Sequence, residues 1–196
     1  MQTGPRRIDM EPLPFATPQD WANWLAQNHA TETELWLRLF RKASGTPSVT
    51  WEQAVIEALC WGWIDGQTKP FDDTSWQQRF TPRRKGGTWS QKNVGHAERL
   101  IAAGRMQPAG LVHIAAAKAS GRWDAAYAGS ANAEVPPDFL AALATAPDSA
   151  KSTFATLDRK NIFAIYHRLQ SAKRPETRAK RIDDFIATLT RGERIV

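Results

Sequence analysis

Residues 60 to 93, CWGWIDGQTKPFDDTSWQQRFTPRRKGGTWSQKN, hold the only cysteine of the chain and four of its nine tryptophans. From Arg79 to Lys92 five basic residues (Arg79, Arg83, Arg84, Lys85, Lys92) occur without one acidic residue. An arginine fork grips a phosphate or carboxylate through two bonds at once, which a lone lysine cannot do. Gly86 and Gly87 let backbone approach a ligand, and Ser90 starts a helix whose free N–H groups carry partial positive charge. The segment Thr81 to Asn93 therefore reads as an anion cradle built from Arg83, Arg84, Lys85, Trp89, Ser90 and Asn93. Asp65, Lys69 and Arg79, on the polar face of an adjoining hairpin, either complete it or pair with one another. The competing reading is a solvated basic loop whose arginines salt-bridge to the body.

Other chemistry finds less support. Cys60 as a nucleophile needs a base, and the four histidines (His29, His96, His113, His167) are scattered. Its place near a helix C-terminus disfavours a thiolate, so it reads as a small buried side chain. No metal-ligand spacing is present, and Asp72-Asp73 is turn chemistry. Neither a catalytic residue nor a cofactor is expected; Asp65 is the fallback general base for a hydrolase reading. Trp21, Trp24, Trp36, Trp51 and Trp61 are expected to fill the core. Trp63, Trp76 and Trp89 bracket the basic segment, where they serve as core or as a stacking wall.

The elements that hold these residues follow from caps and periodicity. Residues 1 to 14 read as an irregular arm. Thr17, Pro18 and Asp20 open a helix running to about Asn28 with Trp21, Trp24 and Leu25 inward. Leu35, Leu37 and Leu39 alternate with Trp36, Arg38 and Phe40, the two-residue period of a strand. Thr50 and Gln53 form a second capping box ahead of a helix with Val55, Ala58, Leu59 and Gly62 on one stripe. A hairpin follows: residues 63 to 69, a turn around Phe71 to Thr74, and residues 75 to 82. Pairing Gly66 with Phe80 places Ile64, Trp76 and Phe80 on one face, and Asp65, Gln67, Lys69, Gln77, Arg79 and Thr81 on the other. A one-residue slip would set Phe80 opposite Asp65, so the first register is preferred.

Beyond Pro82 helices take over. One runs from Ser90 to Gly104 with Val94, Ala97, Leu100 and Ile101 inward; another runs from Pro108 to Gly121, its alanines and glycine permitting close packing. Residues 128 to 137 read as a linker. Short helices near 138 to 145, 148 to 157 and 159 to 171 follow, then a last one from Pro175. The expectation is an α+β fold: an α+β body over 15 to 130 with a small antiparallel sheet of about three strands, then an all-helical module over 131 to 196.

At 196 residues and net charge +6, the chain has length for a real core and a balance that favours an anionic partner. A second basic cluster, Lys173, Arg174, Arg178, Lys180 and Arg181, is broken only by Glu176; Arg178 and Arg181 share a helix side that can dock on acidic residues of the body. The lone cysteine and the lack of a signal or membrane-spanning segment point to a soluble protein of the cytoplasm.

The blocks EALCWGWIDG, RFTPRRKGGTWSQKN, GRW and AKRPETRAKRI, in that order, resemble the YdeI/OmpD-associated family of bacterial proteins, also called bacteriocin-protection proteins. The likeness runs from about Phe15 to Gly192. The chain has Gly87 where many relatives have a serine before TWS. The resemblance implies tolerance of bacteriocins or cationic antimicrobial peptides, association with a porin, and a C-terminal module from about Val135. Joined to the residues, it gives a non-enzymatic stress-tolerance protein binding a phosphate- or carboxylate-bearing ligand or partner. The alternatives are nucleic-acid binding, with bases stacked on Trp89 or Trp76, and a protein partner held through residues 135 to 196.

Overall fold

Capping chemistry starts the two helices that flank the first long strand. The structure, a computed structural model, describes residues 11–196; most of the expected arm lies outside them. The chain runs β1 (Leu13–Pro14), α1 (Pro18–Asn28), β2 (Leu35–Phe40), α2 (Trp51–Cys60), β3 (Trp63–Asp72) and β4 (Ser75–Pro82). Helices α3 (Gln91–Ala102), α4 (Pro108–Ala119), α5 (Pro137–Thr145), α6 (Asp148–Ala155), α7 (Arg159–Gln170) and α8 (Pro175–Thr190) follow. Both expected capping boxes are present, Thr17 with Asp20 on α1 and Thr50 with Gln53 on α2. The chain divides into two compact units, one of residues up to 89 with 93–125, the other of 90–92 with 126–196.

The first unit is built on a four-stranded sheet in the order β1-β2-β4-β3. β1 pairs parallel to β2, so the sheet is mixed rather than antiparallel. Two residues ending in a proline carry no period, so β1 is not legible in the sequence, where it falls within the expected arm. Leu35, Leu37 and Leu39 are buried on one face opposite Phe80, Gln78 and Trp76. Trp21 of α1 packs on Phe80 with ring centroids 5.3 to 5.4 Å from its neighbours, and its indole donates to the Ala54 carbonyl of α2 at 3.0 Å.

The hairpin register is corrected in one half. Trp63, Ile64 and Asp65 pair with Pro82, Thr81 and Phe80, so Phe80 does sit opposite Asp65. Thr68, Lys69 and Pro70 pair with Gln78, Gln77 and Trp76, the register expected. A bulge at Gly66-Gln67 absorbs the one-residue difference. The buried Gln78 amide satisfies it, donating to the Gly66 carbonyl at 2.9 Å and accepting from the Thr68 hydroxyl at 2.6 Å.

Gly110 of α4 meets α2 closely: a Cβ there would stand 2.8 Å from the Leu59 carbonyl oxygen and also strike that of Cys60. Along α3, His96 is buried, whereas Ile101, expected inward, is 40% exposed. The tryptophans also sort differently. Trp21 and Trp63 are fully buried, while Trp51, on the first turn of α2, is 39% exposed and Trp36 lies on the open sheet face.

In the second unit α5 to α8 enclose Phe139, Leu143, Ile165, Leu169, Phe185 and Leu189. Arg178 and Arg181 are used within this unit. Arg178 grips Asp138 by two bonds of 2.6 and 2.9 Å and donates to the Leu169 carbonyl at 2.8 Å. Arg181 donates to the Arg168 carbonyl and to the Ser171 hydroxyl. The open carbonyls at the end of α7 attract these cations because a helix C-terminus carries partial negative charge.

Candidate functional site

The basic loop is anchored at both ends. The Arg83 N–H donates to the Gly62 carbonyl at 2.8 Å, and the Gly87 N–H closes a turn on the Arg84 carbonyl at 2.9 Å. Between them the Arg83 guanidinium lies 3.7 Å from the centre of the Trp89 ring and donates to the Thr88 carbonyl at 3.2 Å. Trp89 meets Trp123 at 4.9 Å, and the Lys118 ammonium stands 5.2 Å from the Trp123 ring. The result is a run of contacts from cation to indole to tilted indole to cation, in which the buried Arg83 contact is worth about 2 kcal/mol and the exposed Lys118 contact less. Arg122 supports the loop from beside the stack, donating to the Lys85 carbonyl at 3.1 Å.

This stack decides which cations face outward. Arg83 is 8% exposed and Trp89 3% exposed, so neither offers a free surface to a ligand. Arg84 and Lys85 are exposed. Trp63 is also buried, its indole donating to the His29 carbonyl, and Trp76 lies under the Arg41 guanidinium at 5.9 Å. The tryptophans therefore form no common stacking wall. Sequence patterns do not reach Trp123, Arg122 and Lys118: the GRW block holds only the first two, and nothing local ties residues 118 to 123 to residue 89.

The hairpin residues separate. Lys69 and Arg79 share the open face of the sheet, Lys69 4.6 Å over the Trp36 ring and Arg79 held by Glu34 at 2.7 Å. Asp65 is on the other face, because the bulge puts it opposite Phe80; it accepts from the Trp51 indole at 3.2 Å. Asp65, Lys69 and Arg79 thus do not form one polar cluster. Ser90 falls in the second unit, where it bridges to Tyr127, and the first N–H of α3, on Gln91, donates to the Tyr127 carbonyl at 2.9 Å. Asn93 is half-buried near the start of α3.

In the first unit, electrostatics bear on the Cys60 thiol and on His113. Burial, then the Glu57 carboxylate, push the Cys60 thiol up to about 11. Burial, then the Arg83 charge, hold His113 below the usual imidazole range. Among the described residues no group of three or more His, Cys, Asp and Glu side chains is placed to hold a metal ion. Nor, among them, is any helix long and apolar enough to cross a membrane.

Comparison with protein families divides the chain. Residues 13–113 match the model described as a domain of unknown function (DUF8412). Residues 132–192 match the model described as Bacteriocin-protection, YdeI or OmpD-Associated. No curated protein and no solved structure matches. The resemblance expected from Phe15 onward is thus supported for the C-terminal module, which carries AKRPETRAKRI. The blocks EALCWGWIDG and RFTPRRKGGTWSQKN fall in the segment matched by the other family.

Proposed function

The chain belongs to the family described as a domain of unknown function (DUF8412), matched over residues 13–113 of 196, and from that premise together with its bacteriocin-protection-type segment we propose a binding role. The protein is a non-enzymatic member of the bacteriocin-protection type that holds a phosphate- or carboxylate-bearing partner against the loop of the first unit. Arg84 and Lys85 make the contact; Arg83 and Trp89 position them.

One observation carries this reading: two adjacent exposed cations sit on a closed turn whose backbone is pinned by the Arg83–Trp89–Trp123–Lys118 stack and by Arg122. A pinned turn loses little freedom on binding, which favours affinity. The loop supports an anion without a stacked base, because Trp89 is buried. That weighs against nucleic-acid recognition at this position.

The test is a fluorescence titration with ATP, inorganic pyrophosphate and citrate. Replacing Arg84→Ala together with Lys85→Ala is expected to weaken the binding at least tenfold, since each charge-assisted hydrogen bond contributes about 1.5 kcal/mol or more. Unchanged affinity in the double variant dismisses the loop as the contact.

A further inference from the structure

The helical unit carries its own cleft, unrelated to the loop. An open cavity of about 450 Å³ lies among the end of α7, one side of α8 and the C-terminal residues. Arg168, Ser171, Arg181 and Thr188 supply its polar lining, and Phe185 and Ile195 its apolar part. Its volume falls in the range of sites for small molecules, which combine an apolar surface with a few converging polar groups.

The state of each charge makes the cleft electropositive. Arg181 uses Nη1 on the Arg168 carbonyl and the Ser171 hydroxyl, and among the described residues its other nitrogens make no hydrogen bond. The Arg168 side chain is exposed and, among the described residues, makes no hydrogen bond or ion pair. The one acidic side chain on the lining, Asp184, is neutralised by Lys180, which reaches its two oxygens at 3.0 and 2.8 Å. Two guanidinium groups therefore face the cavity against no uncompensated acid.

The apolar wall is fixed as well. Asn161 is 1% exposed and its side-chain oxygen accepts from the Ile195 and Val196 N–H groups at 2.8 and 3.0 Å. Its amide donates to Asp158, the residue that caps the start of α7. Ile195 is thereby held beside the cleft by a buried hydrogen-bonded side chain.

We propose that this cleft binds a small amphipathic anion, a phosphate monoester or carboxylate whose charge sits on Arg168 and Arg181 and whose apolar body rests on Ile195. The proposal does not depend on the loop reading. Arg168 serves as the test position because it is exposed and supports no neighbour through its side chain, whereas Arg181 also closes α7.

The experiment follows backbone amide resonances of the full chain during titration with phenyl phosphate and benzoate. Inorganic phosphate and benzyl alcohol serve as the charge-only and ring-only controls. Saturable shifts at Arg168, Phe185 and Ile195 are expected with phenyl phosphate or benzoate, with weaker binding of either control. The tighter of the two probes identifies the head group. Arg168→Ala is expected to weaken binding about tenfold with an unchanged unfolding midpoint, and Arg168→Lys less, because charge without the fork remains. The Arg84→Ala, Lys85→Ala double variant should titrate like the unaltered chain at this cleft, which separates the fate of the two sites. Absence of saturable shifts there, an equal response to benzyl alcohol, or undiminished affinity in Arg168→Ala would overturn the proposal.

Discussion

Arg83 and Arg84 are adjacent and chemically identical, yet the structure gives them opposite duties. Arg83 is buried over Trp89 and bonded to the Thr88 carbonyl, whereas Arg84 projects from the turn. Arg83→Ala removes a desolvated cation–π contact of about 2 kcal/mol. It also removes a charged hydrogen bond of about 1.5–3 kcal/mol. Because the two share one side chain and are not additive, a loss of about 2–4 kcal/mol is expected. Arg84→Ala is expected to stay within about 0.5 kcal/mol, as surface substitutions do. Arg83→Lys should fall between, since an ammonium keeps the charge but not the planar stack. The assay is urea unfolding of the full chain, followed by near-ultraviolet circular dichroism from the Trp89–Trp123 pair. If Arg83→Ala and Arg84→Ala unfold at the same urea concentration, the stack does not hold the loop and the division of duties is wrong.

Three more expectations rest on other parts of the fold. Gly110→Ala should destabilise by about 1–3 kcal/mol through overpacking against α2, although alanine is the better helix former; a raised midpoint in thermal unfolding would show that α2 and α4 are not so close. The Cys60 thiol, at about 11 and 3% exposed, keeps only about 0.1% thiolate at pH 8, so the native protein should react with Ellman's reagent at least 100-fold more slowly than the urea-unfolded one; equal rates would refute its burial. Asp72 is held down at about 2 by the Ser75 hydroxyl first and Thr74 and Arg38 after it, so its stabilisation is complete above its ordinary value of 3.8 and is lost as pH falls from there through 2. Asp72→Asn should flatten the acid limb of stability in that window, and an unaltered limb would remove Asp72 as its cause.

What could be read in the sequence was what local chemistry decides. The Thr17–Asp20 and Thr50–Gln53 boxes need only residues three apart, and the β2 alternation needs only its own side chains. The hairpin was half legible: the Lys69 to Gln77 pairing followed from alternation, but the Gly66-Gln67 bulge depends on a glutamine from the neighbouring strand. Asp65 was misplaced with it, and the expected grouping with Lys69 and Arg79 went too. The basic loop was legible as charge and not as geometry. The contacts that continue from Trp89, to Trp123 and from it to Lys118, come from α4 and the turn behind it, and no window around residue 83 contains them. The cleft of the helical unit was hidden for a similar reason, since Arg168 and Ile195 meet only when Asn161 has bound the chain end.

The carbonyls that finish α7 are closed by Arg178 and Arg181 of the helix that comes after it. A helix end finished by the side chains of the following helix is not self-sufficient: a chain cut short of residue 178 would leave those carbonyls to water, so the end of α7 and the start of α8 stand or fall together.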